Sequence, residues 1–514
     1  MTEELRPPRK LRLWEALALS VGLMGPTLAM ALNGAGVAVT VGKAVPLVFV
    51  LGLVGVALVA YGFVRLTRHF NHAGSVYALA GVTLGPRAGF FGGFALLGTY
   101  VFFAVCTLAA TAVFTEAFAA ALGLSLHVPW FAVAALASVG VWAVNSRESR
   151  VTARTLLVVE GVGIIGMLVL SAIIVIRTGT GHAPAGQRLD LSVFGLGGTT
   201  MSAVMTATVF AFLSWAGFEA CASLGEETAD PRRNVPRALA GSVLLTGGLY
   251  IFVMFAQTVG FGTGEKGVAA FSGSESSLSA LAQTYIGTWF SLVIAFTAVA
   301  SAFAASISSA AAASRLMFAL ARDGFGPKAL ARTDRRTASP TVALVAALVL
   351  AVAGDVILDL SGVSAFDAYY WFATLGVLCL LVAYAVAGAG VIAFILSGRG
   401  RIPRYEIVIP VLAIVYLCFV FYNQSVGQTG PLGYFPWIAA AWCLAGMVAV
   451  LAAPKLAHRI GERLTAELTR PDGPADAASA PVHETTAPAR APGGPAGSSR
   501  GPEPEINDKE AAQA

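Results

Sequence analysis

Two short segments with helix-breaking residues lie inside long apolar stretches of the chain. A proline removes one helical N–H donor, and a glycine permits unusual backbone dihedral angles. A helix that is interrupted within a bilayer exposes N–H and C=O groups to which a small polar molecule can bind. Glycine and proline also occur at simple kinks and close helix contacts, which is the alternative. The candidate ligand-binding residues are Met24, Gly25, Pro26 and Thr27 in the first segment and Ser214, Trp215, Ala216 and Gly217 in the second.

If both breaks form, each is followed by a half-helix whose N-terminal end faces the gap. One half-helix is expected to begin near Leu28 and the other near Phe218. Unpaired N–H groups and the positive end of a helix dipole attract a carboxylate. The pattern therefore favours a ligand with an α-carboxylate over a pure polyamine.

Two acidic residues lie close to these segments. Glu219 follows the second break, and Glu160 is the one acidic residue well inside the stretch TLLVVEGVGIIGM. A charged side chain at the bilayer centre costs about 2.5–3.5 kcal/mol on insertion scales, so both carboxylates are expected to have a function or a partner. For Glu160 the hypotheses are proton coupling, sodium binding, or a structural hydrogen bond that caps a neighbouring helix. For Glu219 they are a coupling role or a hydrogen bond between helices.

A third candidate feature is a group of serines further along the chain. Ser306 and Ser309 are predicted to form a cation site against the first break. The alternative is that they are small residues at a close helix crossing.

The composition excludes a protein whose main solvent is water. The 514 residues are 57% hydrophobic and 12% charged, with a mean hydropathy of +0.75, whereas a soluble domain has about 25% charged residues. Stretches long enough to cross a bilayer predict an all-α polytopic membrane protein with about twelve transmembrane helices. They lie near 14–37, 44–64, 88–117, 128–145, 155–176, 200–225, 238–260, 286–312, 341–359, 366–396, 407–424 and 434–453.

The basic residues alternate strongly between the two sides of the predicted membrane. The side that holds the termini has 25 Lys and Arg outside the tail, and the other side has 4. The positive-inside rule then predicts a multi-pass protein of the plasma membrane with both termini in the cytoplasm. Residues 1–13 form the cytoplasmic N-terminus, and residues 465–514, rich in Pro, Ala, Gly and Ser, are predicted to be a disordered tail. The external segment 261–284 is a candidate for a short interfacial helix.

Several function classes lack support in the sequence. It has no Gly-x-x-x-x-Gly-Lys-Ser/Thr phosphate loop, and its cysteines and histidines lack metal-ligand spacing. No filter sequence typical of a channel is evident. We therefore expect no metal, no cofactor and no nucleic-acid partner. The expected partners are the lipid bilayer and a small molecule, with a proton or sodium as the coupling ion.

Three motifs carry a resemblance to a known family. They are FAFLSWAGFEACASLGEETADPRRNVPRAL at 210–239, SRLMFALARDGFGP at 314–327 and Gly-Ser-x-Tyr at 74–77. Together they resemble the amino acid-polyamine-organocation permease superfamily over roughly residues 12–453. The resemblance implies that the cytoplasmic loop signature includes Glu226, Glu227, Arg232, Arg322 and Asp323.

The resemblance also implies a fold and a function. The fold is two inverted five-helix repeats, at 14–176 and 200–396, with broken first and sixth helices and two peripheral helices at 407–453. The function is secondary transport of amino acids by a monomer or homodimer, and not enzymatic catalysis. Transport of polyamines or amino alcohols is the nearest alternative, and a channel or a non-transporting nutrient sensor is the alternative from another class.

The sequence departs from the family pattern at two positions. The first break of the family commonly reads Gly-Ser-Gly, whereas this chain has Gly25-Pro26-Thr27, so that one N–H donor is lost and the Thr27 hydroxyl is its expected replacement. Glu160 resembles the position at which some proton-coupled relatives have a lysine in the fifth helix. The charge at that position is therefore reversed.

Overall fold

The fold was analysed in a computed structural model that describes residues 11–70, 76–124, 128–147, 150–219, 222, 228–333, 340–398, 402–428 and 430–466. Across these ranges the regular elements are helices, apart from one isolated bridge between Leu11 and Thr228. The all-helical prediction is thereby confirmed. Residues 1–10 and most of the predicted tail, 467–514, lie outside the described ranges, as do Glu226 and Glu227.

The first half of the chain contains seven α-helices. They are α1 (Leu13–Leu23), α2 (Pro26–Val41), α3 (Val45–Leu66), α4 (Val76–Leu84), α5 (Pro86–Ala121), α6 (Trp130–Arg147) and α7 (Arg150–Gly179). Most of them are apolar around their whole circumference, as expected of helices that contact either protein or lipid on every side. Pro46 and Pro86 stand in the first turns of α3 and α5, where the missing N–H has no intrahelical partner to lose.

Ten further helices follow. They are α8 (Met201–Trp215), α9 (Pro231–Phe261), α10 (Glu265–Ser272), α11 (Ser277–Tyr285), α12 (Thr288–Arg322), α13 (Thr341–Leu360), α14 (Ala365–Leu396), α15 (Val408–Ser425), α16 (Phe435–Ala452) and α17 (Pro454–Ala466). Side-chain caps define two of the starts: the Thr200 hydroxyl accepts the Ala203 N–H at 3.2 Å, and the Ser364 hydroxyl accepts the Asp367 N–H at 3.0 Å. Segment 261–284, for which a short interfacial helix was expected, contains α10 and most of α11.

Within the described ranges, nine helical segments are long and apolar enough to cross a membrane. The first, Leu13–Leu66, contains α1, α2 and α3, and two shorter apolar helices, Trp130–Ser146 and Met201–Trp215, lie outside the nine. The chain is therefore a multi-pass membrane protein. In the most apolar part of α5, 83% of the residues are buried, whereas in the most apolar part of the segment that contains α15 the share is 28%. Helix α5 is therefore central in the bundle and α15 is peripheral.

Helix α17 follows the last apolar helix and packs back onto the bundle. Ile460 is fully buried, and a Cβ atom at Gly461 would lie 1.8 Å from the Pro86 carbonyl oxygen at the start of α5. Arg463 donates to the buried Asp323 carboxylate at 2.7 Å. The sequence did not predict this helix, because its alternation of apolar and charged residues is too short and too polar for a span.

Candidate functional site

The first break is a single residue in the left-handed conformation. Helix α1 ends at Leu23, Met24 continues it for one residue, and Gly25 has φ 57° and ψ 58°. Such dihedral angles cost a residue with a side chain about 1–2 kcal/mol, which explains the glycine. Pro26 is the first residue of α2, so it starts the second half-helix two residues before the expected Leu28.

Two side chains already occupy the N–H groups at the start of α2. The Thr27 N–H donates to Glu160 Oε1 at 2.8 Å, and the Leu28 N–H donates to Ser301 Oγ at 3.1 Å. Glu160 comes from α7 and Ser301 from α12, and both are buried. Four helices, α1, α2, α7 and α12, therefore meet at this break, and Glu160 makes the capping hydrogen bond that was its structural alternative.

The second break lies at the end of α8. The helix ends at Trp215, and Ala216 follows with φ −58° and ψ 129°. Gly217 has φ 102°, a value that residues with a side chain rarely adopt. Glu219 Oε2 accepts the Gly217 N–H at 3.2 Å and the Tyr384 hydroxyl at 2.9 Å. Glu219 thus links this break to α14, in keeping with a bridge between helices.

The two breaks are in direct contact. A Cβ atom at Gly217 would lie 3.2 Å from the carbonyl oxygen of Leu23, where α1 ends. The Ser20 hydroxyl also donates to the Phe218 carbonyl at 3.3 Å. Residues nearly 200 positions apart in sequence therefore form one polar centre inside an apolar bundle. The expected half-helix from Phe218 includes residues 220, 221 and 223–227, which lie outside the described ranges.

Trp215 is fully buried beside the second break. Its indole N–H donates to the Thr246 hydroxyl at 3.0 Å, and its ring meets Tyr250 edge to face at 5.1 Å. The ring therefore packs between α8 and α9. Ser214 accepts a hydrogen bond from the Asn33 amide at 2.7 Å. Asn33 was not predicted as a site residue, because a lone asparagine in an apolar helix has no motif around it.

The serines of α12 separate into two groups. Ser301 contacts the first break, whereas the buried Ser306 donates to the Ala302 carbonyl at 3.0 Å and lies 3.4 Å from the Thr111 hydroxyl oxygen. Ser309 is partly buried. Ser301 lies five residues before Ser306, about 1.4 turns, so the two serines are on different faces of α12 and the spacing from Ser306 does not indicate Ser301.

Two buried hydroxyl groups near the breaks have no partner at hydrogen-bonding geometry in the described part of the chain. They are the hydroxyls of Thr27 and Tyr250. The Tyr250 ring packs edge to face against Trp215 beside the second break. The Thr27 hydroxyl points at α7, because a Cβ atom at Gly163 would lie 2.3 Å from it. These oxygen atoms can accept hydrogen bonds from a bound donor.

Three residues of the predicted loop signature, Arg232, Arg322 and Asp323, lie within the described ranges. Asp323 is buried and accepts hydrogen bonds from Arg322 at 3.2 Å and from Arg463 at 2.7 Å. Arg232 is exposed in the first turn of α9. Asp355 in α13 is fully buried, and neither of its carboxylate oxygens has a hydrogen-bond partner among the described residues.

The sequence matches the family model described as "Amino acid permease" over residues 11–450. The chain belongs to the amino acid permease family. It is a family of transporters and not of enzymes, which confirms the resemblance.

Three relatives illustrate the range of the family. The permease is 25% identical over 309 residues to a low-affinity putrescine importer of Escherichia coli, covering 60% of this chain and 66% of the relative. It is 24% identical over 346 residues to a branched-chain amino acid permease of Bacillus subtilis, covering 65% and 72%. It is 29% identical over 439 residues to an uncharacterised transporter of Mycobacterium tuberculosis, covering 82% and 88%. The match to the putrescine importer spans just under two thirds of that relative.

Proposed function

We propose that the permease is a secondary transporter that moves amino acids or related amines across the plasma membrane. The contact between the two helix breaks carries this proposal, because it concentrates backbone polar groups and two buried carboxylates in an otherwise apolar bundle. Permeases for putrescine and for branched-chain amino acids among the relatives support the substrate range. The substrate is proposed to bind at residues 24–27 and 214–217.

The proposed architecture has twelve membrane spans. The broken helix α1 and α2 counts as the first span and α3 as the second, while α6 and α8 are the two shorter spans. The remaining eight spans are the other long apolar segments. Spans one to five and six to ten form the proposed inverted repeats, and both termini are cytoplasmic according to the distribution of Lys and Arg.

The transport proposal is tested in proteoliposomes that contain the purified permease. A panel of labelled amino acids and amines is offered, and saturable flux of at least one of them above that of empty liposomes is expected. Absence of flux for the whole panel would contradict the proposal and would favour the sensor alternative. Currents that do not saturate with substrate concentration would favour a channel.

Glu160 is the proposed coupling residue, and a proton is the proposed coupling ion. Its carboxylate holds the N-terminus of α2, so that protonation weakens a charge-assisted hydrogen bond at the break itself. The test compares Glu160→Gln with the parent in exchange at saturating substrate and in uptake driven by a pH gradient. Intact exchange with lost pH-driven accumulation is expected. An unchanged response to the pH gradient would exclude Glu160 as the coupling residue, and dependence on sodium instead would identify the other ion.

A further inference from the structure

One tyrosine of α14 bonds two backbone groups in the middle of α2. The Tyr370 hydroxyl donates to the Leu32 carbonyl and accepts the Gly36 N–H at 3.0 Å. In a regular α-helix this carbonyl and this N–H bond each other, since the two residues are four positions apart. A side chain that enters this ladder of hydrogen bonds loosens the helix, and helices kink at such turns. The turn 32–36 is therefore the part of α2 where bending costs least.

Packing aims the Tyr370 hydroxyl at this turn. A Cβ atom at Gly36 would overlap the Tyr370 ring, so a glycine is needed for the ring to approach α2. Away from α2, the ring meets Phe210 at 5.1 Å and Phe366 at 4.8 Å, both edge to face. The tyrosine is buried. Its hydroxyl is thus held in place by aromatic contacts and not by its hydrogen bonds alone.

The residues just before this turn are fixed by two other helices. Gln257 Nε2 of α9 donates to the Met30 carbonyl at 2.9 Å, and Ser277 Oγ of α11 donates to the Ala31 carbonyl at 2.8 Å. Both donor side chains are buried. Together with the Leu32 carbonyl, three successive carbonyl groups of α2 accept side-chain donors from three helices. The first part of α2 is thereby anchored, and bending would move only the residues that follow.

The moving part would be the last part of α2, which packs against α10. A Cβ atom at Gly34 would lie 2.8 Å from Phe271 Cζ, and one at Gly42 would lie 3.9 Å from Val268 Cγ1, both in α10. Ala38 lies midway between the two glycines, four residues from each, and therefore on the same face of α2. Its exposed fraction is 2%. The contact with α10 thus shields Ala38 from solvent.

We propose that Tyr370 is a positioning residue of the transport cycle, whose hydroxyl holds α2 bent at the turn 32–36 and thereby keeps segment 36–42 closed against α10. Without the hydroxyl, the Leu32 carbonyl and the Gly36 N–H bond each other, α2 straightens, and the segment moves away from α10. This inference rests on the proposed transport function, because closure at one end matters for a site that is reached alternately from two sides. It assigns a role to a residue outside both helix breaks.

The test measures how readily a water-soluble reagent reaches position 38. Ala38→Cys is introduced into the full-length permease in detergent, a water-soluble maleimide is added, and mass spectrometry assigns the label to this position among the native cysteines. Addition of Tyr370→Phe is expected to raise the labelling rate about two- to tenfold, the range that corresponds to the loss of one hydrogen bond. An unchanged or lower rate would overturn the inference. Labelling needs no substrate, so flux of the parent in proteoliposomes tests the transport proposal separately.

The matched control is the preceding tyrosine on the same helix. Tyr369 is buried and donates to Asn33 Oδ1 at 2.7 Å, so Tyr369→Phe removes the same atom and a hydrogen bond to a side chain of α2, but leaves the backbone pair bonded by Tyr370. Its labelling rate is expected to stay within about twofold of the parent. A rise as large as that of Tyr370→Phe would overturn the assignment to the backbone pair.

A second variant reaches the same hydroxyl from the other helix. Gly36→Ala pushes the Tyr370 ring away from α2, and it is expected to raise the labelling rate at position 38 as Tyr370→Phe does. The inference can therefore be tested even if one of the two proteins does not fold, which a monodisperse elution profile reveals. Parent rates in the folded variants would overturn it.

Discussion

A close helix contact at the first break gives a prediction with a matched control. Gly163 lies three residues after Glu160 on α7, so both residues share one face of the helix. A Cβ atom at Gly163 would lie 2.3 Å from Thr27 Oγ1 and 3.2 Å from Thr297 Cβ. A Cβ atom at Gly161, two residues earlier, would have no heavy atom within 4 Å. The variants Gly163→Ala and Gly161→Ala therefore both add a methyl group in the interior of α7, and only the one at Gly163 meets another helix.

The expected magnitudes follow from these distances. Alanine stabilises a helix interior by about 1 kcal/mol relative to glycine, and Gly161→Ala should show this gain or no change. Gly163→Ala has the same gain, but overpacking costs about 1–3 kcal/mol. Separation of α7 from α2 also lengthens the Glu160 hydrogen bond, and hydrogen bonds to charged groups contribute about 1.5–3 kcal/mol. Gly163→Ala should therefore be less stable than Gly161→Ala by about 1–4 kcal/mol.

The assay is the apparent unfolding midpoint of each purified variant in the same detergent, followed by transport in proteoliposomes. Gly163→Ala is expected to have the lower midpoint and the lower flux. The double variant Gly163→Ala with Thr27→Ala should recover the midpoint, because it removes Oγ1 and Cγ2 while keeping the Thr27 backbone N–H for Glu160. Equal midpoints and equal fluxes of Gly163→Ala and Gly161→Ala would refute the contact between α7 and α2.

Three further predictions concern other parts of the molecule. Gly217→Ala should reduce stability and transport more than Gly25→Ala, because its Cβ atom meets backbone at 3.2 Å whereas the nearest atom at Gly25 is a side-chain oxygen at 3.5 Å; equal midpoints in detergent would contradict this. Arg463→Ala should lower the midpoint by an amount equivalent to about 1 kcal/mol, since the arginine is half exposed although its partner Asp323 is buried, and an exposed arginine elsewhere on α17 is the control. The pKa of Asp190 is lowered to about 2, mainly by hydrogen bonds from Ser192, so its stabilisation is present above its unfolded pKa and is lost as the pH falls toward 2. The midpoint difference between parent and Asp190→Asn should be constant from pH 5 to 8, and a difference that grows below pH 4 would be inconsistent with this.

The sequence predicted the elements of the fold better than the contacts between them. Apolar stretches of bilayer length predict helices reliably, because only a helix satisfies its own backbone groups in lipid. Gly25 and Pro26 located the first break to within a few residues, although α2 begins at Pro26 and not near the expected Leu28. Helix α17 was missed because its stability comes from packing on α5 and from Asp323, which no local pattern indicates.

The candidate site was predicted in part. The break residues and both carboxylates were readable, since helix breakers and charges are rare within apolar stretches. The side chains that accept the N–H groups at the start of α2 could not be predicted. Glu160 and Ser301 lie 133 and 273 positions in sequence from the residues whose N–H groups they accept. Small polar residues such as Asn33 are compatible with both a packing contact and a site, and only the packed structure distinguishes the two.

The contact of Glu160 with Thr27 ties the stability of the first break to a single buried carboxylate. A broken helix in a low-dielectric region leaves N–H groups that need an acceptor, and an unsatisfied one costs about 1–3 kcal/mol. In this permease the Glu160 side chain meets that need for the Thr27 N–H. The proposed coupling residue therefore also supports the fold. A variant that removes the carboxyl group of Glu160 should consequently lose stability unless another acceptor replaces it at the Thr27 N–H, and the unfolding midpoints of Glu160→Ala and Glu160→Gln in the same detergent check this: equal midpoints would contradict the capping role.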